Sequence, residues 1–323
     1  MKISEVASRA GVSTATVSRV LNHPDMVNKE TLERILRLVK ELDYTPNPVA
    51  QTLMTGKTSV AGLIVPNLLN PFIAQFVLGV EELLMGVGYT ALICNTHEDM
   101  DRERFILKTL AKRAVDGFIW AYPHHFTPEL VKNPLVVVGP IKTNRYDKVA
   151  IDEVNCVNIV ADRLVRQGHT KIGVIIGDMR FPISKIRLRL FKNALIKRGI
   201  KLDQQFIAEG SYFSMESGYD AMGKLLQCEK LPSVIFAFND MLAIGAIKRL
   251  IDQKINVPED ISIISTDDIP FAEQFSPALT TVRASGFKLG ERAAELLISR
   301  INNPEATIRS VKIPVELVVR QSN

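Results

Sequence analysis

The chain has 323 residues, long enough for two or three domains with sizeable cores. Its 46% apolar and 23% charged composition is that of a globular protein and excludes a disordered or fibrous one. The net charge of +5 is compatible with a nucleic-acid partner without requiring one.

In chain order, the N-terminus carries no basic segment followed by an apolar run, so no secretory signal is read there. Apolar stretches are interrupted by Pro, Asn or Gly within about ten residues, short of the roughly 20 that a membrane span needs. Cys94, Cys156 and Cys228 are far apart and form no CxxC pair, the pattern of reduced thiols in a cytoplasmic chain.

Residues 2–22 read KISEVASRAGVSTATVSRVLN. Ile3, Val6, Ala7 and Ala10 recur at helical spacing, Gly11 breaks that helix, and Ser13 is a ready N-cap for the next. In the second helix Val17, Val20 and Leu21 point one way, while Thr14, Ala15, Ser18, Arg19 and Asn22 cover the other side. Arg19 can donate bidentately to a guanine edge, and the hydroxyl and amide side chains can bond phosphates or bases. Asn28 can cap a third helix with apolar Leu32, Ile35, Leu36, Val39 and Leu42. Spacing alone fits a generic three-helix bundle as well as a helix-turn-helix lying in a DNA major groove. Pro46-Asn47-Pro48 stops the third helix, and Val49, Ala50 and Leu53 could share a face of a short helix ended by Gly56. A helix of that length is unstable alone in water and reads as a flexible linker.

From Ser59 the pattern changes. Apolar runs at 60–66, 90–95, 117–122, 135–139, 171–176, 233–238 and 261–266 alternate with amphipathic stretches. That alternation predicts parallel sheets covered on both faces, and seven or more strands over about 260 residues fit two doubly wound halves. A ligand is then expected in the crevice at the strand C-ends. Asn239-Asp240 and Asp267-Asp268 follow two of these runs. Asn239 and Asp267 are read as hydroxyl-binding groups, and Asp240 and Asp268 as helix caps. Arg180, Lys185, Arg187 and Arg189 could attract an anionic effector such as a phosphorylated sugar, or form a solvated helix face. The five histidines show no metal spacing, and GxSxG, HExxH, GxGxxG and P-loop motifs are missing, so no catalytic residue, metal or cofactor is expected.

Residues 2–22 together with LDYTPNPVAQTLMTGKTS closely resemble the DNA-binding head of the LacI/GalR family of bacterial transcription regulators. VDGFI, RQGHTKIGVI, FNDMLAIGAI, VPEDISII, PALTTVR and VELVVRQSN extend the resemblance over the whole chain. It implies an all-α helix-turn-helix head (1–45), a hinge (46–58), and a two-lobed α/β effector domain (59–323) built like a periplasmic binding protein. One lobe spans about 59–153 and 284–308, the other about 154–283 and 309–323. Thr14, Ala15 and Arg19 match base-reading positions, and Thr16, Ser18, Asn22 and Asn28 match phosphate-holding ones. Ser13, Tyr44, Asn47 and Ala50 join this DNA-binding set. Leu53 matches the Leu that family members push into a minor-groove step when the hinge folds on DNA. Lys2 stands where the family often has Thr or Ser, which weakens the first cap. Arg189 matches the family's ligand-binding Arg. Phe72 and Phe213 match aromatic positions that line the ligand, with ordinary core packing as the alternative. Gly139-Pro140 replaces an acidic residue that some members place after the strand, and Ala284 replaces a common ligand-binding Gln. Both put galactoside-like recognition in doubt.

The implied protein is a repressor that binds a pseudo-palindromic operator as a homodimer and answers to a small molecule, a carbohydrate or sugar phosphate. A purine or nucleoside effector and a protein co-repressor are the alternatives within that class. A solute-binding transport protein is the alternative outside it, opposed by the missing export signal. A sugar-modifying enzyme would need a catalytic constellation that the sequence lacks.

Overall fold

The computed structural model describes residues 3–22, 24–44, 56–110 and 115–323. Contacts divide the chain into two units, Met1–Thr58 and Ser59–Asn323. Helices α1 (Ile3–Ala10), α2 (Thr14–Asn22) and α3 (Lys29–Glu41) form the first. Gly11 turns the chain between α1 and α2 with φ +64, a conformation costly to other residues. Ser13 Oγ accepts from the Thr16 amide at 3.2 Å, and Asn28 Oδ1 accepts from the Thr31 amide at 2.8 Å, so both expected caps form. Val6, Ala7, Ala10, Val17, Val20 and Ile35 close one small core. Leu36, expected in the apolar stripe of α3, is exposed. Lys2 and the hinge residues Pro46–Leu53 lie outside the described residues.

The second unit holds two sheets. The first lobe runs β1 (Val60–Val65), α4 (Pro71–Gly86), β2 (Thr90–Asn95), α5 (Met100–Leu110), β3 (Gly117–Ala121), β4 (Leu135–Val138) and β5 (Asp147–Ile151). The chain then crosses to α6 (Glu153–Arg166), β6 (Ile172–Ile176), α7 (Pro182–Ile196), β7 (Ile207–Glu209), α8 (Met215–Leu225), β8 (Val234–Ala237), α9 (Asp240–Asp252), β9 (Ser262–Asp267) and β10 (Thr280–Ala284). It returns through α10 (Gly286–Asn302) and β11 (Ser310–Ile313) and ends in the second lobe with β12 (Val315–Val318). Strand orders are β11-β5-β4-β3-β1-β2 and β12-β10-β9-β8-β6-β7. All pairings are parallel except β12 against β10.

The apolar runs seen in the sequence are the central strands, buried on both faces. β2 is the exception, an edge strand with much of its surface open. The return to the first lobe extends five residues beyond the expected end at 308. Val311 and Ile313 pair with Val149 and Ile151, and only after Pro314, which has no amide to donate, does the chain leave the ladder. At the other end of the return, Ala284 still belongs to β10 of the second lobe. In the first lobe α4 and α10 touch backbone to backbone. A Cβ on Gly79 would strike the carbonyl of Phe287, and one on Gly290 that of Phe76. Among the described residues no helix is long and apolar enough to cross a membrane. The three cysteines are unbridged.

Candidate functional site

On the head, Thr14, Ala15 and Arg19 are exposed on one side of α2 while Val17 and Val20 are buried on the other. Ser13 and Asn28 are exposed at two helix N-termini, and Thr16 and Ser18 are half-buried. Helix N-termini present free amides and a partial positive charge, which suits phosphate. Asn22 ends α2. Tyr44 departs from expectation. It is 8% exposed and packs in the core with Val6 and Ile35, so its ring supports the head rather than facing outward. Asn47, Ala50 and Leu53 lie outside the described residues.

Between the lobes a cleft opens at the strand C-ends. The first lobe contributes Asn67, Phe72, Glu98 and Tyr122, and the second Phe181, Arg187, Phe213, Phe238, Asn239 and Asp267. Local rules position these groups. Asn70 Oδ1 caps α4 through the Phe72 amide at 3.0 Å, with Pro71 in the first turn, which sets Phe72 at the cleft edge. Tyr122, Glu98 and Asp267 have φ of 48°, 58° and 121°, left-handed conformations unusual for these residues. Such strain concentrates where a side chain must be aimed at a ligand. Gly139, with φ +117, leaves room for the Tyr122 ring, which a Cβ there would meet at 3.1 Å.

Arg187 is the buried cation of the cleft. Its Nε and Nη2 donate to the two oxygens of Glu153 at 2.7 and 2.8 Å, and its Nη1 donates to Phe238 O and Thr266 Oγ1. Burial works against the charge, but the Glu153 carboxylate more than compensates and holds Arg187 ionised. Asp267 has no hydrogen-bond donor among the described residues. Burial, reinforced by Asp240, raises its carboxyl well above the usual range, with Arg187 opposing.

Phe72, Phe213, Asn239 and Asp267 thus meet in one place, as the sequence suggested. Arg189 does not. It is exposed on the far side of α7, whose inner face carries Ile183, Arg187 and Phe191 at four-residue spacing. That periodicity was visible in the sequence and singles out Arg187. Of the basic run, Arg180 is tied to Asp178 at the surface, Lys185 is exposed, and only Arg187 enters the cleft. The cap assignments also change. Asn239 caps α9 through the Leu242 amide at 2.9 Å while its Nδ2 donates to Phe213 O. Asp240 is fully buried and accepts from Ser265 Oγ, Thr281 Oγ1 and the Ile269 amide. Asp268 pairs with Arg283 and Arg320 rather than capping a helix. Glu98 and Tyr122 were missed because they sit in loops without periodicity, brought in only by the tertiary fold.

Comparison with known proteins agrees with this geometry. Residues 2–47 match "Bacterial regulatory proteins, lacI family", and residues 161–323 match "Periplasmic binding protein-like domain". The HTH-type transcriptional repressor PurR of Pasteurella multocida (strain Pm70) is 35% identical over 327 residues, covering 99% of this chain and 98% of the relative. The solved transcriptional regulator CelR–cellobiose complex is 28% identical with a TM-score of 0.77, covering 100% of both chains. The lac repressor dimer bound to operator and the anti-inducer ONPF shares the fold at TM-score 0.89 and 23% identity, covering 100% of this chain and 98% of that one. With an exposed recognition helix on its head and a polar and aromatic cleft between two sheets, this chain belongs to the lacI family of bacterial regulatory proteins and is a DNA-binding transcriptional regulator.

Proposed function

We propose that the protein is a repressor that grips a pseudo-palindromic operator as a homodimer and is switched by an uncharged carbohydrate in the inter-lobe cleft. Thr14, Ala15 and Arg19 read bases, and Ser13, Thr16, Ser18, Asn22 and Asn28 hold phosphates. Asn47, Ala50 and Leu53 join them in the hinge, with Leu53 as the minor-groove wedge. Leu78 and Met85 of α4, Leu92 and Ile93 of β2, and Phe105 of α5 are exposed apolar side chains that support a dimer face on the first lobe.

The observation that carries the effector class is the occupation of Arg187. With its guanidinium committed to Glu153, Phe238 and Thr266, no Lys or Arg among the described lining residues remains to neutralise a phosphate. The Glu98 and Asp267 carboxyl groups can accept from ligand hydroxyls, and the Tyr122 hydroxyl can donate to one, beside aromatic rings suited to the apolar face of a sugar. The cellobiose complex of the relative CelR supports the same class. A purine or nucleoside is the second reading, favoured by the five aromatic side chains Phe72, Tyr122, Phe181, Phe213 and Phe238.

Ligands that bind only the folded state raise its unfolding temperature. A thermal-shift screen of neutral sugars, sugar phosphates and purines is expected to score among the neutral sugars, and the hit is expected to change operator affinity in a gel shift. Hits confined to purines would replace the carbohydrate reading. No tight, salt-dependent binding to any sequence in an operator selection would remove the regulator mechanism itself.

A further inference from the structure

One buried group at the polar end of the cleft has an unmet bonding capacity. Glu98, in the loop between β2 and α5, lines the cleft and is 4% exposed. Its Oε1 accepts from Asn67 Nδ2 at 3.1 Å. Its Oε2 is buried and has no partner among the described residues. The loop holds this arrangement at a conformational cost. His97 and Glu98 are both left-handed, at φ 56° and 58°, and the Glu98 amide is tied to Pro66 O at 2.9 Å. Burial raises its carboxyl above the usual range, outweighing the backbone of Phe213 and the His124 ring, which favour the charged form. Arg187 is paired with Glu153, and the side chain of Arg180 is more than half exposed and paired with Asp178. A buried acceptor without a donor is costly, and such a group persists where another molecule supplies the donor.

We propose that Glu98 contacts the effector and determines its specificity: Oε2 accepts a hydrogen bond from a ligand O–H or N–H, and with Asp267 it selects donor-bearing rings, neutral or amine-carrying, against phosphorylated ones. This rests on the carbohydrate reading above and deepens it. Glu98 belongs to the first lobe and Asp267 to the second. A ligand that donates to both therefore ties the lobes together, and its fit is read by the closure of the cleft.

The test uses the full-length protein in two arms. The first needs no ligand. At pH 8 the Glu98→Gln variant, relieved of an unpaired buried charge, is expected to unfold about 2 °C or more above wild type. An equal or lower unfolding temperature would make Glu98 a structural residue and overturn the proposal. The second arm titrates cellobiose, glucose, glucosamine and glucose 6-phosphate. A neutral sugar or the amine is expected to bind wild type, and Glu98→Ala is expected to weaken that binding about tenfold or more. Glucosamine binding more tightly than glucose would assign the donor as an ammonium, and the reverse order as a hydroxyl. Glucose 6-phosphate binding as tightly as glucose, or a Kd for Glu98→Ala within about twofold of wild type, overturns the proposal. Silence of all four probes on wild type would count against the carbohydrate reading, while the ligand-free arm still decides Glu98.

Discussion

At the scale of single residues, two arginines one helical half-turn apart have opposite surroundings. Arg187 is buried with Glu153, and Arg189 is exposed. Removing one member of a buried pair leaves the other charge uncompensated. Arg187→Ala is therefore expected to destabilise the effector unit by about 3–5 kcal/mol in urea unfolding. Arg189→Ala should stay within about 0.5 kcal/mol of wild type. On the head, Arg19→Ala is expected to weaken operator binding by about 1–3 kcal/mol and to relax one base position. An equal loss on every sequence would make Arg19 a phosphate contact instead. The resemblance marked the Arg187-Leu188-Arg189 stretch of α7 as ligand-facing but pointed to its second arginine. Helical period four from Ile183 to Arg187 to Phe191 identifies the first.

At the scale of elements, Asp240 ties α9 to β9 and β10 through Ser265, Thr281 and Ile269. Burial raises its pKa from 3.8 to about 6, although those hydrogen bonds pull the other way. The folded state thus keeps a proton that the unfolded chain releases near pH 3.8. This contribution to stability is complete below pH 3.8 and is lost as pH rises through about 6. Asp240→Asn is expected to flatten the stability-against-pH curve between those values by about 3 kcal/mol relative to wild type. Asp267 shifts in the same direction, so the informative quantity is the difference between the two curves. A second element-scale contact is the backbone approach of α4 and α10. Gly290→Ala puts a methyl against the Phe76 carbonyl and is expected to cost about 1–3 kcal/mol, read from the denaturation midpoint.

At the scale of the whole molecule, the second lobe is completed by the end of the chain. Ser322 Oγ donates to Ile263 O at 2.7 Å and accepts from the Thr280 amide at 2.8 Å, and Arg320 pairs with Asp268. Deleting 319–323 removes these bonds and exposes the edges they cover. The expected cost is about 2–4 kcal/mol, measured by chemical unfolding of the truncated chain. The same threading links the lobes at residues 152, 285 and 314, so neither lobe is a contiguous segment. A two-lobed architecture was legible from alternating apolar runs. The weak strands were not: β5 alternates in burial because one face is covered less fully, and β7 has only three residues. The last crossing point, which the resemblance put near 308, lies at Pro314, after β11 has joined the first sheet.

The sequence by itself determined the three-helix head, its caps at Ser13 and Asn28, the parallel-sheet class and two of the residues that meet in the cleft, Asn239 and Asp267, with Phe72 and Phe213 added only by the family resemblance. All but those last two follow from local spacing, helix-end chemistry and apolar periodicity, which operate over a few residues. Only the tertiary structure decided that Tyr44 is core, that Arg187 is locked to Glu153, and that Glu98 and Tyr122 face the same space. Those outcomes depend on which distant backbone segments meet and on which charges are buried together. Neither is encoded in the spacing of any single element.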